Sequence, residues 1–164
     1  MKRCFALLLA LCLALPLCAC ASRTRITSYT QSEWDAVHAY WWELEERVEN
    51  GGIDSLSPDE RLLYIAMSYN GLMLSGGLES VLTYMTPQEI ADIPAALRFV
   101  GADAHAAQFG AFMDQLFLSP EALQLLSGFW GWLQPFAEQN AAFIALDEER
   151  ALTSILFAFL PAGE

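Results

Sequence analysis

The sequence predicts an all-α fold, a single compact bundle of about six or seven helices, on three observations. Apolar residues recur at helical spacing, as in Trp34, Val37, Trp41, Leu44 and Val48. Capping boxes with a proline in the first turn open helices at Ser57-Pro58-Asp59-Glu60 and Thr86-Pro87-Gln88-Glu89, and glycines close them. No run shows sustained alternation of apolar and polar β-formers. The four cysteines, Cys4, Cys12, Cys18 and Cys20, all fall in the first 20 of 164 residues, so the folded part carries no thiol and must stand on its hydrophobic core. One domain of this length can bury such a core.

In chain order, residues 1–19 come first. Lys2 and Arg3 precede an apolar run over 5–17 that ends in Leu17-Cys18-Ala19-Cys20. A positive end, an apolar stretch too short for a permanent span and small residues at a cleavage site make an export signal. The tail resembles a bacterial lipobox, which implies diacylation of Cys20 and a membrane anchor through it. Cys18 departs from the usual pattern, and Ala19-Cys20-Ala21 also reads as an ordinary signal-peptidase site before Ser22. The expected localisation is the cell envelope, lipid-anchored and facing outside the cytoplasm. Residues 20–30 form a polar tether whose Arg23 and Arg25 suit an anionic membrane surface. The helical domain is expected over 31–164.

Ser32, with Asp35 three positions on, is expected to cap the first helix, which runs to the stop Asn50-Gly51-Gly52. The second places Leu62, Ile65, Ala66, Tyr69 and Met73 on one side and is interrupted by Gly76-Gly77. A short helix over 78–84 follows. Pro94 is expected to divide the segment that Thr86 opens, and Gly101 to stop it. Further starts are Asp103 and Ser119-Pro120-Glu121, and a last helix after Asp147 puts Leu152, Ile155, Leu156 and Phe159 on one face. The aromatic-rich stretch 123–137 is too short to span a membrane and reads as a core helix, with a docking surface as the alternative.

No catalytic constellation emerges. His38 and His105 fall on different helices without cysteine ligands or paired-histidine spacing, so each reads as a surface or satisfied core residue and no metal or cofactor is expected. The glycine pairs lack the lysine of a phosphate loop, and no nucleophile elbow is present. A hydrolase built on two carboxylates stays open, but nothing distinguishes a pair among twenty acidic residues. Beyond the tether, four arginines face those twenty, which argues against direct nucleic-acid binding. Solubility alone also accounts for such a charge.

The stretch from Leu62-Leu63-Tyr64-Ile65 through Leu74-Ser75-Gly76-Gly77-Leu78-Glu79-Ser80-Val81-Leu82 resembles the glycine-pair segment of the bacterial all-helical DNA-mimic-protein family, the DMP19-like domains. Ile93 to Ala102 is similar to that family's closing turn, and Leu146-Asp147 with the helix after it to its last element. The resemblance covers about 57–160. Leu78 stands where the family has an aromatic, and Ser80, Val81 and Leu82 replace the polar or aromatic residues expected next. What it implies is a helical fold and, from its DNA-mimicking member, an acidic surface offered to a basic, DNA-binding partner. The export signal opposes that role, because DNA-binding regulators are cytoplasmic. No acidic motif aligns well enough to transfer.

The chain's own candidate recognition surface is the first helix. On a wheel, Asp35, Glu45, Glu46 and Glu49 fall opposite the stripe of Trp34, Trp41 and Leu44, and Trp42 lies among the carboxylates. An aromatic ring in an acidic field takes an arginine or lysine by cation–π contact and charge attraction. The competing reading is a solvated face with Trp42 covered and Arg47 pairing locally. The functional expectation is an exported acidic module without catalytic activity that binds a protein bearing a basic patch. A cytoplasmic DNA mimic is the alternative.

Overall fold

The computed structural model describes residues 29–116 and 136–161. Among them are seven α-helices and no strand: α1 (Gln31–Gly51), α2 (Pro58–Gly76), α3 (Leu78–Tyr84), α4 (Pro87–Phe99), α5 (Asp103–Leu116), α6 (Ala137–Glu149) and α7 (Leu152–Phe159), with a 3-10 turn at Ile53–Ser55. The all-α bundle of six or seven helices is the architecture found. The signal at 1–19, Cys20, most of the tether, the start at Ser119 and the stretch 123–137 lie outside the described residues, apart from Phe136 and Ala137 at its end. No helix among the described residues is long and apolar enough to cross a membrane.

Helix α2 is the hub, packed against α1, α3, α4, α6 and α7. A helix enclosed on most sides must be apolar around most of its circumference. Accordingly Leu63, Tyr64, Ile65, Ala66, Met67, Tyr69 and Met73 are all buried. Ser57 and Glu60 cap its start reciprocally, as the sequence predicts, and Thr86 and Glu89 do the same for α4.

At α1 the cap is Thr30 and not Ser32. Thr30 Oγ1 accepts from the Glu33 amide at 3.2 Å while the Glu33 carboxylate accepts from the Thr30 amide at 2.6 Å. Asp35 instead accepts from the Gln31 side chain at 2.8 Å, so it has no part in the cap. Two donors satisfied at once outweigh a single cap two residues later.

Pro94 does not divide α4, which runs unbroken through it. Proline forfeits one backbone bond, and the burial of Ile90, Ile93, Ala96 and Leu97 in the core outweighs that loss. The glycine pair is architectural. Gly77, at φ +74°, ends α2 and leads into α3, and a Cβ there would collide with the Asn140 side chain. Asn140, on α6, accepts from the Leu78 amide and donates to the Glu79 carboxylate, both at 2.8 Å, capping α3 from another helix.

Helix α6 has no counterpart in the sequence reading, because Ala141-Ala142-Phe143-Ile144-Ala145 forms a continuous apolar run rather than a stripe. Asp147 lies inside it, and its Oδ1 accepts from the Leu152 amide at 2.9 Å to cap α7. Leu152 and Leu156 are buried as expected. Phe159 is 39% exposed, resting edge-on against Phe99 with ring centres 4.9 Å apart.

Candidate protein-binding groove

Trp34, His38, Trp41 and Glu45 follow one another at spacings of four, three and four residues, which aligns them along one side of α1. Their rings stack in series: Tyr29 on Trp34 with centres 6.0 Å apart, Trp34 on His38 at 5.7 Å, His38 on Trp41 at 6.0 Å, and Trp41 on Tyr64 of α2 at 6.4 Å with planes 6° apart. Between this row, α2 and the segment joining α3 to α4 lies a cavity of about 530 Å³. The aromatic row forms one wall, Met67 and Ser68 belong to α2's side, and Tyr84 and Glu89 lie across from it. That volume falls in the range of a small-ligand or side-chain site.

Polar atoms tie the wall together. Trp41 Nε1 donates to Ser68 Oγ at 2.9 Å, and the Tyr64 hydroxyl donates to Glu45 Oε2 at 2.5 Å. Burial, then the hydrogen bond to Glu45, then the charges of Glu45 and Glu89 push the Tyr64 phenol well above its ordinary range. The phenol therefore stays a donor, and it holds the Glu45 side chain in place. Glu89 is fixed by the α4 cap, where its Oε2 accepts from the Thr86 amide and hydroxyl, both at 2.7 Å. Among the described residues no cation pairs with Glu45 or Glu89.

The five residues singled out from sequence divide between two settings. Glu45 is half-buried and lines the cavity together with Trp34 and Trp41, so it stands beside that stripe and not opposite it. Asp35, Glu46 and Glu49 are exposed. Trp42 is 53% exposed, uncovered by any described loop, and meets Trp41 edge-on at 5.0 Å and His38 at 5.9 Å. Arg47 pairs with none of the α1 acids. Its guanidinium grips Glu60 at the start of α2, with contacts of 2.6 and 3.1 Å, and this pairing, ahead of the Ser57 cap bonds, holds the Glu60 carboxyl down at about 2. Sequence reasoning missed Tyr64, Ser68 and Glu89, which come from other helices. The four-residue spacing of Trp41 and Glu45 was the available signal.

His38 lies on the surface within the stack. His105 is fully buried, but it is not the satisfied core residue expected: neither ring nitrogen has a hydrogen-bond partner among the described residues, and Phe143 packs on the ring at 6.0 Å. Burial, followed by the charge of Arg150, lowers it to about 4. No group of three or more His, Cys, Asp or Glu residues suited to a metal ion occurs among the described residues. A family model described as DMP19-like protein matches residues 54–158. No curated protein and no solved structure matches the chain.

Proposed function

The chain belongs to the DMP19-like family, and from that premise we propose that it is an exported, lipid-anchored acidic binding module that captures a protein through a basic patch. The observation that carries this reading is the outer face of α1, where exposed Trp42 stands among Asp35, Glu46 and Glu49 next to a cavity edged by Glu45. A ring beside uncompensated carboxylates attracts arginine and lysine. The role is binding and not catalysis. Export rests on the charged start and apolar run of 1–19, and the anchor on Cys20.

Proteins captured by the tagged chain from envelope extract should carry basic patches and release as salt rises, since exposed charges are screened beyond about 8 Å at physiological ionic strength. Changing Glu45, Glu46 and Glu49 together to glutamine should slow association, and Trp42→Ala should speed dissociation. A verified partner bound equally well by the triple variant would move the recognition surface off α1. For the anchor, an alkyne fatty acid should label the chain metabolically, and Cys20→Ser should abolish the label. Label on that variant would defeat the anchor.

A second reading, a cytoplasmic DNA mimic, is favoured by the family and by twenty acidic residues against eight basic ones. It requires an unprocessed N-terminus, which mass spectrometry of the native protein decides. In either compartment the chain should not bind duplex DNA at moderate salt, because association would bring like charges together.

A further inference from the structure

The cavity beside α1 is edged by two carboxylates, Glu45 and Glu89. Glu45 spends Oε2 on Tyr64 and Glu89 spends Oε2 on Thr86, so each carboxylate keeps an oxygen with no partner among the described residues. Asn70 also lines the cavity and is 1% exposed. Its Nδ2 donates to Thr153 Oγ1 at 3.0 Å, while its Oδ1 has no hydrogen-bond partner. That oxygen is buried away from solvent, so the acceptors a ligand can reach are the free carboxylate oxygens of Glu45 and Glu89. The Trp41 indole N–H, a natural donor, is already taken by Ser68. The lining also carries an aromatic row, Trp34, His38, Trp41 and Tyr64 in near-parallel planes, beside apolar Val37 and Met67.

A ligand that complements this must be cationic, rich in N–H groups, and flat enough to lie against rings. We propose that the cavity is a specific site for an arginine side chain presented by the partner protein. The guanidinium supplies five donors and no acceptor, is weakly hydrated, and stacks on aromatic faces. A lysine ammonium is a compact, strongly hydrated point charge and uses a ring wall less well. The exposed acids Glu46 and Glu49 and the Trp42 ring lie outside the cavity lining, where they serve approach and general attraction. This proposal rests on the binding-module reading and narrows it to one side chain.

Titration calorimetry of the full chain in mild detergent tests it, using three capped peptides that differ at one central residue flanked by glycines: arginine, lysine or citrulline. Citrulline keeps the shape of arginine but removes the charge. The arginine peptide should bind saturably, and the citrulline peptide at least about tenfold more weakly, the scale of a lost charge-assisted hydrogen bond. Glu45→Gln preserves the acceptor for Tyr64, and Glu89→Gln preserves the capping box. Each should weaken arginine binding about fivefold to tenfold with the melting temperature unchanged. Equal binding of arginine and citrulline, equal binding of lysine and arginine, or unaltered affinity in both glutamine variants would overturn the assignment. Failure of the two readings is distinguishable. A basic partner still captured by Glu45→Gln and Glu89→Gln chains leaves the module standing and removes the arginine site. Arginine binding without any basic partner from the envelope does the reverse.

Discussion

Tyr64 and Tyr69 stand on the same helix, α2, and anchor two aromatic clusters of opposite character. Around Tyr64 the rings border an open cavity, the Trp41 indole N–H is paired with Ser68 and the Tyr64 phenol with Glu45. Around Tyr69 the rings of Phe109 and Phe143 pack edge-on at 5.4 and 5.9 Å in a sealed interior. There the Tyr69 hydroxyl and both nitrogens of His105 lack partners among the described residues. Both phenols are pushed above their usual range, Tyr69 by burial and then by Asp147, Tyr64 by burial and then by its bond to Glu45. The difference separates two jobs. The inner cluster gives the bundle shape and stability at the expense of orphaned polar groups, and the outer one holds charge and rings where a partner can reach them.

If that division is right, substitutions inside should move stability, and substitutions outside should move binding. The largest effect is expected at Phe143, fully buried against Tyr69 and His105. Phe143→Ala should cost about 3–5 kcal/mol in denaturant unfolding. A loss below about 1 kcal/mol would mean that the inner cluster is not the structural keystone.

Acid comes next. His105 is lowered in the folded state to about 4 from an ordinary 6.5, so the unfolded chain takes up the proton first. Its contribution is complete above about pH 6.5 and fades as pH falls towards 4, by at most about 3 kcal/mol. His105→Leu should flatten the stability curve between pH 6.5 and 4.5, and a curve of unchanged slope would count against a buried neutral imidazole.

On the outer cluster the effects shrink. Trp41→Phe keeps a ring in the stack but loses the bond to Ser68, with an expected cost of about 1 kcal/mol. Trp42→Ala, at a half-exposed ring, should shift stability by no more than about 0.5 kcal/mol while raising the dissociation rate of a verified partner. A larger stability loss at Trp42 than at Trp41 would erase the distinction between wall and surface.

Local signals on the chain determined most of the helices. Ser57 with Glu60 and Thr86 with Glu89 are caps because the partners lie three residues apart, a relation legible without tertiary context. The acidic balance, the glycine stops and the family resemblance were equally local. The tertiary structure alone decided what depends on neighbours far along the chain. Asn140 caps α3 from 62 residues away, Asp147 caps α7 from inside the preceding helix, and Pro94 survives within α4 because the core holds its flanks. It also decided the site. Periodicity on α1 put Trp34 and Trp41 on one stripe and Glu45 opposite it, but a helical wheel has no neighbour on it, and the cavity that joins all three to Tyr64 and Glu89 exists only when α2 and α4 are packed alongside. A cavity is a property of the space between helices, and that space is set by long-range packing, which no single segment encodes.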